Sequence, residues 1–329
     1  MMNIPDACVE VSSLEDVSRW VQHGLWVALT QFEQDADHLG MLASFANVIP
    51  KLIMSIAFSG VSCPDVAFTI IRQTLEIYVD AEVKAPRSLF VVERNREAQF
   101  ELQMLPNKPE HIFVDMTDCI TGDHDFTDAS FEMILSTLKA PGAITQSMPC
   151  VVHGQRCRAD KAHIHVAGPP CVDWSAQGLH KRTNGPTTSA FVAWACQRML
   201  LQEDFILHEN VQNFPVAILE HVFGDIYIIE SVVFCCSQLG LAAERVRRYT
   251  WMRHKRSVVA SPSATISTTF SDAIFRQRRR NQGLTWRQYF ELASDEELAE
   301  ELAWASGRTK SQADRAERSA KRDSEFEEE

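Results

Sequence analysis

Short apolar runs that alternate with stretches long enough for a helix constrain this sequence more than any other feature. Residues 52–58, 88–93, 111–115, 163–167 and 205–209 are brief and apolar, and 226–233 and 247–251 continue the series. Helical patterning fills the gaps at 65–77, 96–105, 131–138 and 187–201. Strands separated by helix-length connections pair through crossovers, which gives a mostly parallel sheet with helices on both faces. The expected fold is therefore α/β, a Rossmann-like, doubly wound, mostly parallel sheet over residues 51–258, with helical extensions at both ends.

Residues 1–50 read as a helical leader: Ser12-Ser13-Leu14-Glu15 offers a cap, and Val17, Trp20, Val21 and Leu25 recur at helical spacing. Residues 259–306 read as a loop and a helical extension that carries Arg276, Arg278, Arg279 and Arg280. Those arginines suit a nuclear-targeting or nucleic-acid patch, or equally a solvated helix face. Residues 307–329 are charged and poor in large apolar side chains, the composition of a disordered tail. No apolar run reaches the length of a membrane span, and the first residues lack a basic, apolar signal. With nine cysteines at irregular spacing, the expectation is a reducing, intracellular compartment, the nucleus in a eukaryote. A net charge of −12 argues against polyanion binding by the surface as a whole, so any such site is a local patch.

Each run ends near a residue that can act at the carboxyl edge of the sheet, where open α/β sheets bind ligands: Gly60, Glu93, Asp115, Cys171 and Glu209. The sequence Gly168-Pro169-Pro170-Cys171 delivers a thiol on a stiff loop, because two prolines fix φ and remove two donors. Such a thiol is a nucleophile or a small buried hydrophobe, and the loop alone does not decide which. Carboxylates after the second and third strands suit the hydroxyls of a ribose and the amine of a purine, or simply cap the next helix. The first loop, Phe58-Ser59-Gly60-Val61-Ser62-Cys63, is not Gly-x-Gly-x-x-Gly, which disfavours a dinucleotide and with it a nucleotide-binding oxidoreductase.

Residues 140–162 form a Pro/Gly/Cys/His-containing insertion. Cys150, His153, Cys157, His163 and His165 are zinc-ligand types. No pair has Cys-x-x-Cys spacing, and His163 and His165 belong to a predicted strand. The stretch is read as a structural loop, and no metal is assigned.

Phe58-Ser-Gly60, Glu93, Asp115, Gly168-Pro-Pro-Cys171, Glu209-Asn-Val211 and Arg245-Val-Arg247 follow one another in a particular order and spacing. In that order the chain resembles the C5-cytosine DNA methyltransferase family, whose fold is of the class I methyltransferase type. The resemblance implies S-adenosylmethionine as cofactor. Phe58, Gly60, Pro169 and Pro170 would line it, Glu93 would hold its ribose and Asp115 its adenine. It implies Cys171 as the nucleophile that adds to cytosine carbon 6, and Glu209 as the group facing N3. Arg247 would donate to the base carbonyl, with Arg245 in support. DNA is the implied substrate, with transfer RNA and a non-catalytic, cofactor- or nucleic-acid-binding relative as alternatives.

The sequence departs from the family pattern in places. Ser62 and Cys63 stand where two glycines are usual, Val172 replaces a Gln, and Ala243 stands where a Gln precedes Arg-x-Arg. No clear target-recognition region or late Gly-Asn motif follows Arg247. Residues 45–50 loosely resemble that late motif, as in a circular permutation that would set a completing helix beside the cofactor. Arg245, Arg247, Arg248, Arg253, His254, Lys255 and Arg256 form a basic stretch suited to phosphates.

Overall fold

The computed structural model describes residues 38–174, 183, 185–239 and 244–257. Helix α1 (His38–Val48) and a 3-10 turn (Ile49–Lys51) lead into β1 (Ile53–Ala57). Next come α2 (Cys63–Val79), β2 (Arg87–Val92), α3 (Arg96–Met104) and β3 (His111–Phe113). A 3-10 turn (Met116–Cys119) and α4 (Phe131–Leu138) precede β4 (Ser147–Cys150), β5 (Gln155–Arg158) and β6 (Ile164–Ala167). The remainder is α5 (Thr188–Leu201), β7 (Phe205–Val211), α6 (Val216–Phe223), β8 (Tyr227–Cys235) and β9 (Val246–His254).

Local chemistry sets several helix starts. Pro64 opens α2, where its missing N–H costs nothing. The Asn95 side chain accepts from Glu97 N at 2.8 Å and caps α3, and Ser130 Oγ accepts from Met133 N at 3.3 Å and caps α4.

All nine strands join one sheet in the order β5-β4-β3-β2-β1-β6-β7-β9-β8. The central five, β3-β2-β1-β6-β7, are parallel. Both flanks are antiparallel. Strand β1 pairs with β2 on one side and β6 on the other, so the chain winds outward one way and then restarts the other way. This is the topological switch point at which open α/β sheets leave a crevice outside the carboxyl ends of their strands. The fold is Rossmann-like α/β, as the alternating pattern predicts.

The period of two along the central strands divides the core. Met54 and Ile56 of β1, Val91 of β2 and Ile112 of β3 pack with Leu102 of α3 and Phe68 of α2 on one face. Ala57, Phe90, Val92 and Phe113 point to the other face, against Trp194 of α5 and Leu135 of α4. Phe90, Phe113 and Trp194 are fully buried. Side chains of this kind each contribute about 1.5–3 kcal/mol through burial.

The structure changes two expectations and fills one gap. Residues 140–162 are not a loop: β4 and β5 form an antiparallel hairpin that widens the sheet beyond β3. Helix α6 occupies residues left unassigned between the fifth and sixth predicted strands. Residues 45–50 end α1 where the chain enters β1, with Asn47 exposed at the amino edge of the sheet, so they do not complete a site at the carboxyl edge. The expected leader helix around Trp20, the arginine cluster at 276–280, the charged tail and Ala243 lie outside the described residues.

Candidate active site at the carboxyl edge of the sheet

The loop after β1 turns back sharply through three left-handed residues, Phe58 (φ 58°), Gly60 (φ 53°) and Ser62 (φ 64°). Only glycine adopts that region without cost, so Phe58 and Ser62 hold strain at the switch point. The turn is fixed by Ser59 N donating to Val92 O at 3.2 Å and Ser62 N to Ser59 O at 2.9 Å. Its tip aims the backbone N–H of Gly60 at Glu93 Oε2, 2.7 Å away. Asn95 N donates to Glu93 Oε1, also at 2.7 Å. The carboxylate after β2 is thus clamped by one backbone donor per oxygen and keeps lone pairs for a further partner. A side chain built on Gly60 would meet nothing within 4 Å, so the space above this turn is open.

Asp115, after β3, serves as a cap. Its Oδ1 accepts from Thr117 N and Thr117 Oγ1, both at 2.8 Å, while Asp118 returns a bond to Asp115 N at 3.2 Å. Oδ2 faces the exposed Arg94 at 3.4 Å. The bland alternative at this position is therefore realised, and one oxygen remains directed outward.

The Cys171 loop leaves β6 directly beside β1: Gly168 N donates to Ala57 O at 3.3 Å. Pro169 is buried and its carbonyl accepts from Asn210 Nδ2 of β7 at 3.4 Å, while Pro170 is exposed. Cys171 itself is half-buried, and its carbonyl accepts from Trp174 N at 2.9 Å in a closing turn. Asp173 anchors the far side of that turn. It is fully buried and accepts from the backbone and hydroxyl of Thr187, at the start of α5. A Cβ on Gly185 would lie 1.9–2.1 Å from the Asp173 carboxylate, so only glycine fits there.

Glu209 of β7 lies against the same loop. Its Oε2 is 3.4 Å from where a Cβ on Gly168 would stand. Its Oε1 forms an ion pair with Arg247 Nε of β9, 3.0 Å away. The register explains the pairing: Glu209 is opposite Tyr249 and Val211 opposite Arg247, so Glu209 and Arg247 are diagonal neighbours on one face. Arg245 precedes β9, is exposed, and makes no ion pair among the described residues.

Tyr249 stands directly opposite Glu209, a placement that nothing in the sequence marks. Burial, and then the Glu209 carboxylate, push its phenol pKa up, and its ring stacks on Phe234 at 4.6 Å. Only the antiparallel register reveals it, because nothing in a lone Tyr four residues after Arg245 marks it.

The basic stretch divides in two. Strand β9 runs from Arg247, beside Val211, to Arg253, beside Phe205, so its ends lie on opposite edges of the sheet, about 20 Å apart at ~3.3 Å per residue. Arg248 is spent on the Gln212 carbonyl at 2.9 and 3.1 Å, and Arg253 on Glu230 at 2.8 Å. His254 is buried, and Lys255 donates to Gly224 O at 2.7 Å. Of the stretch, Arg245, Arg247 and Arg248 lie at the carboxyl edge, and of the two within β9 Arg247 alone shares a face with Glu209. Two histidines counted as possible zinc ligands are also engaged elsewhere. His163 Nδ1 accepts from Ile53 N at 3.0 Å, and His165 is buried between Ser55, Trp194 and Arg198.

The chain matches no protein-family model and no curated protein. Among solved structures it is similar to a protein named as a DNA modification methyltransferase encoded within an E. coli prophage, at 17% identity and TM-score 0.35, covering 62% of this chain and 47% of that one. It is similar to the S. pombe Dnmt2 methyltransferase at 13% identity and TM-score 0.35, covering 64% and 50% of the two chains. The Entamoeba histolytica methyltransferase EhMeth aligns at 13% identity and TM-score 0.37, covering 66% and 56%. The chain spans about half the length of these structures.

Proposed function

We propose that this chain is an S-adenosylmethionine-dependent methyltransferase that acts on carbon 5 of cytosine, in DNA in the first instance. The observation that carries the reading is the convergence at one switch point of a half-buried thiol, a carboxylate packed against the thiol's own loop, and a guanidinium 3.0 Å from that carboxylate. A binding module has no need of all three.

The cofactor residues fit a nucleoside in part. The open space over Gly60 and the clamped Glu93 carboxylate suit a ribose. Asp115 offers its outward oxygen, once Arg94 gives way. When bound, the cofactor supplies an electrophilic methyl group.

The chain's own residues do the rest. The Cys171 thiolate adds to carbon 6 of the ring and makes carbon 5 a nucleophile. Glu209 faces N3 and delivers the proton that neutralises the negative charge building there, while Arg247 orients Glu209 and donates to the ring carbonyl. After methyl transfer a water at the open edge takes the carbon 5 proton, the freed electron pair restores the carbon 5–carbon 6 double bond, and the carbon–sulfur bond breaks to return the thiolate. A cytosine inside a duplex cannot reach a thiol at a sheet edge, so the base enters flipped out or from a single strand.

The test is incubation with labelled S-adenosylmethionine and either duplex DNA or transfer RNA, using wild type and Cys171→Ala. Transfer to one polymer, lost in the variant, supports the reading and identifies the substrate. Cofactor binding without transfer to any cytosine-containing polymer would overturn it in favour of a non-catalytic relative. A 5-fluorocytosine substrate should leave a covalent adduct on Cys171, visible as a mass shift, because fluorine cannot depart as a cation.

A further inference from the structure

At the opposite, amino edge of the sheet, the structure assembles a second group of reactive side chains. His111, Cys150, His153 and Cys157 each present a ligand atom, and all four atoms lie within 4.8 Å of one another. The Cys150 sulfur is 3.4 Å from His153 Nδ1 and 3.8 Å from His111 Nδ1, and the Cys157 sulfur is 3.5 Å from His153 Nδ1. Zinc bonded tetrahedrally to two sulfurs at ~2.3 Å and two nitrogens at ~2.0 Å has ligand-to-ligand edges of roughly 3.3–3.8 Å. The three sulfur–nitrogen separations fall within that range, and the widest spacing of the set, up to 4.8 Å, has to close by about 1 Å around an ion.

The sheet brings the four together. Phe113 of β3 is opposite Cys150 of β4, so His111, two residues earlier, shares a face with Cys150. Met148 is opposite Cys157, so the two cysteines are diagonal neighbours on one face of the hairpin. The turn between them, closed by Gly154 N donating to Cys150 O at 2.9 Å, contributes His153. Cys150-x-x-His153-x-x-x-Cys157 thus supplies three of the zinc-ligand types seen in the sequence, and the fourth, His111, which the sequence does not mark, comes from 39 positions upstream of Cys150.

The geometry points to a structural zinc site of two cysteines and two histidines that fastens the β4–β5 hairpin to β3. Four protein ligands close the coordination sphere and leave no position for a reacting water. The two thiolates balance the charge of the ion, so burial of Cys150 carries no net charge into the core. The hairpin has need of a fastening: it meets the three-residue strand β3 through the Phe113–Cys150 pair and the bond from Val151 N to Ile112 O at 2.8 Å. This site is independent of the catalytic reading.

The test uses the full chain purified under reducing conditions from zinc-supplemented medium, with metal measured by atomic emission. One equivalent of zinc is expected. Cobalt exchange should give the visible absorption of a tetrahedral sulfur–nitrogen site. His153→Ala, at an exposed position, and Cys157→Ser, a near-isosteric change at a half-buried one, should keep the wild-type circular dichroism and lose the metal. Cys63→Ser should retain it. A chelator should lower the melting temperature of wild type and leave the two ligand variants unmoved. Zinc retained in both ligand variants would overturn the proposal. So would a chain that takes up no zinc, or one that, with its thiols blocked at lysis, carries a Cys150–Cys157 disulfide in place of the metal.

Discussion

Ser62 shows how much a single backbone angle can hold at a functional turn. It sits left-handed at φ 64°, fully buried, and its hydroxyl donates to Asp65, whose own pKa burial pushes up. Ser62→Ala removes the hydrogen bond and keeps the strain; Ser62→Gly removes both. Their difference isolates the backbone, and Ser62→Gly should be the more stable by about 1–2 kcal/mol in urea unfolding. A reversed order would mean that the turn is not strained at Ser62. Glu209 makes a different kind of claim. Its substitution by Gln keeps size and hydrogen bonding but removes the charge beside Arg247, and should lower methyl transfer by about 10²–10⁴-fold with little change in melting temperature. Full activity in that variant would refute the assignment of Glu209 to N3.

Strand β7 carries both roles on alternate residues. Glu209 points to the candidate site, and His208 turns into the core among Phe191, Trp194 and Phe214. Neither His208 ring nitrogen has a hydrogen-bond partner among the described residues, and burial holds the imidazole pKa at about 3 against an ordinary 6.5. Between those values the unfolded chain binds a proton that the folded chain refuses. Stability from this group is therefore intact above pH 6.5 and falls as pH drops toward 3, at roughly 1.4 kcal/mol per pH unit. His208→Phe should flatten the loss over that window, measured as urea midpoints across pH. An unchanged slope would place the acid sensitivity elsewhere.

The elements themselves were largely legible. The β7 run and the helix at 131–138 follow directly from periodicity, because long apolar stretches have few other uses. The β4–β5 hairpin was not legible, since Pro149, Gly154 and the arginines of β5 carry no apolar alternation. The same holds for the site: Cys171 and Glu209 announce themselves at strand ends, but the partners Tyr249 and His111 arrive only through register across antiparallel pairs.

On the scale of the whole molecule, one buried polar group ties the parallel strands to the helix layer. Arg198 of α5 is fully buried and pairs with the equally buried Glu203, approaches His165 of β6 at 3.0 Å and lies 5.6 Å above the Phe90 ring of β2. Glu203 O in turn accepts from Tyr227 of β8 at 3.0 Å, and His165 meets Ser55 of β1 at 2.8 Å. Arg198→Ala strands a carboxylate in the core and should destabilise by about 3–5 kcal/mol, whereas Arg198→Met with Glu203→Leu should cost far less or nothing. Chemical denaturation of both variants checks this; equal losses, with side-chain volume kept in the second, would mean that the ion pair and its hydrogen bonds stabilise the core outright.

The reversed direction of β9 has a consequence for how this protein can be extended or tethered. His254 N bonds to Asp204 O, and Ser257 Oγ to the Asp204 carboxylate at 2.7 Å, so the end of β9 is moored on the rim away from Cys171. Had the ninth strand run with its neighbours, it would have released the polypeptide at the mouth of the reaction centre. A label inserted at Ser257 starts out of the substrate's path, and one inserted near Arg245 starts within it.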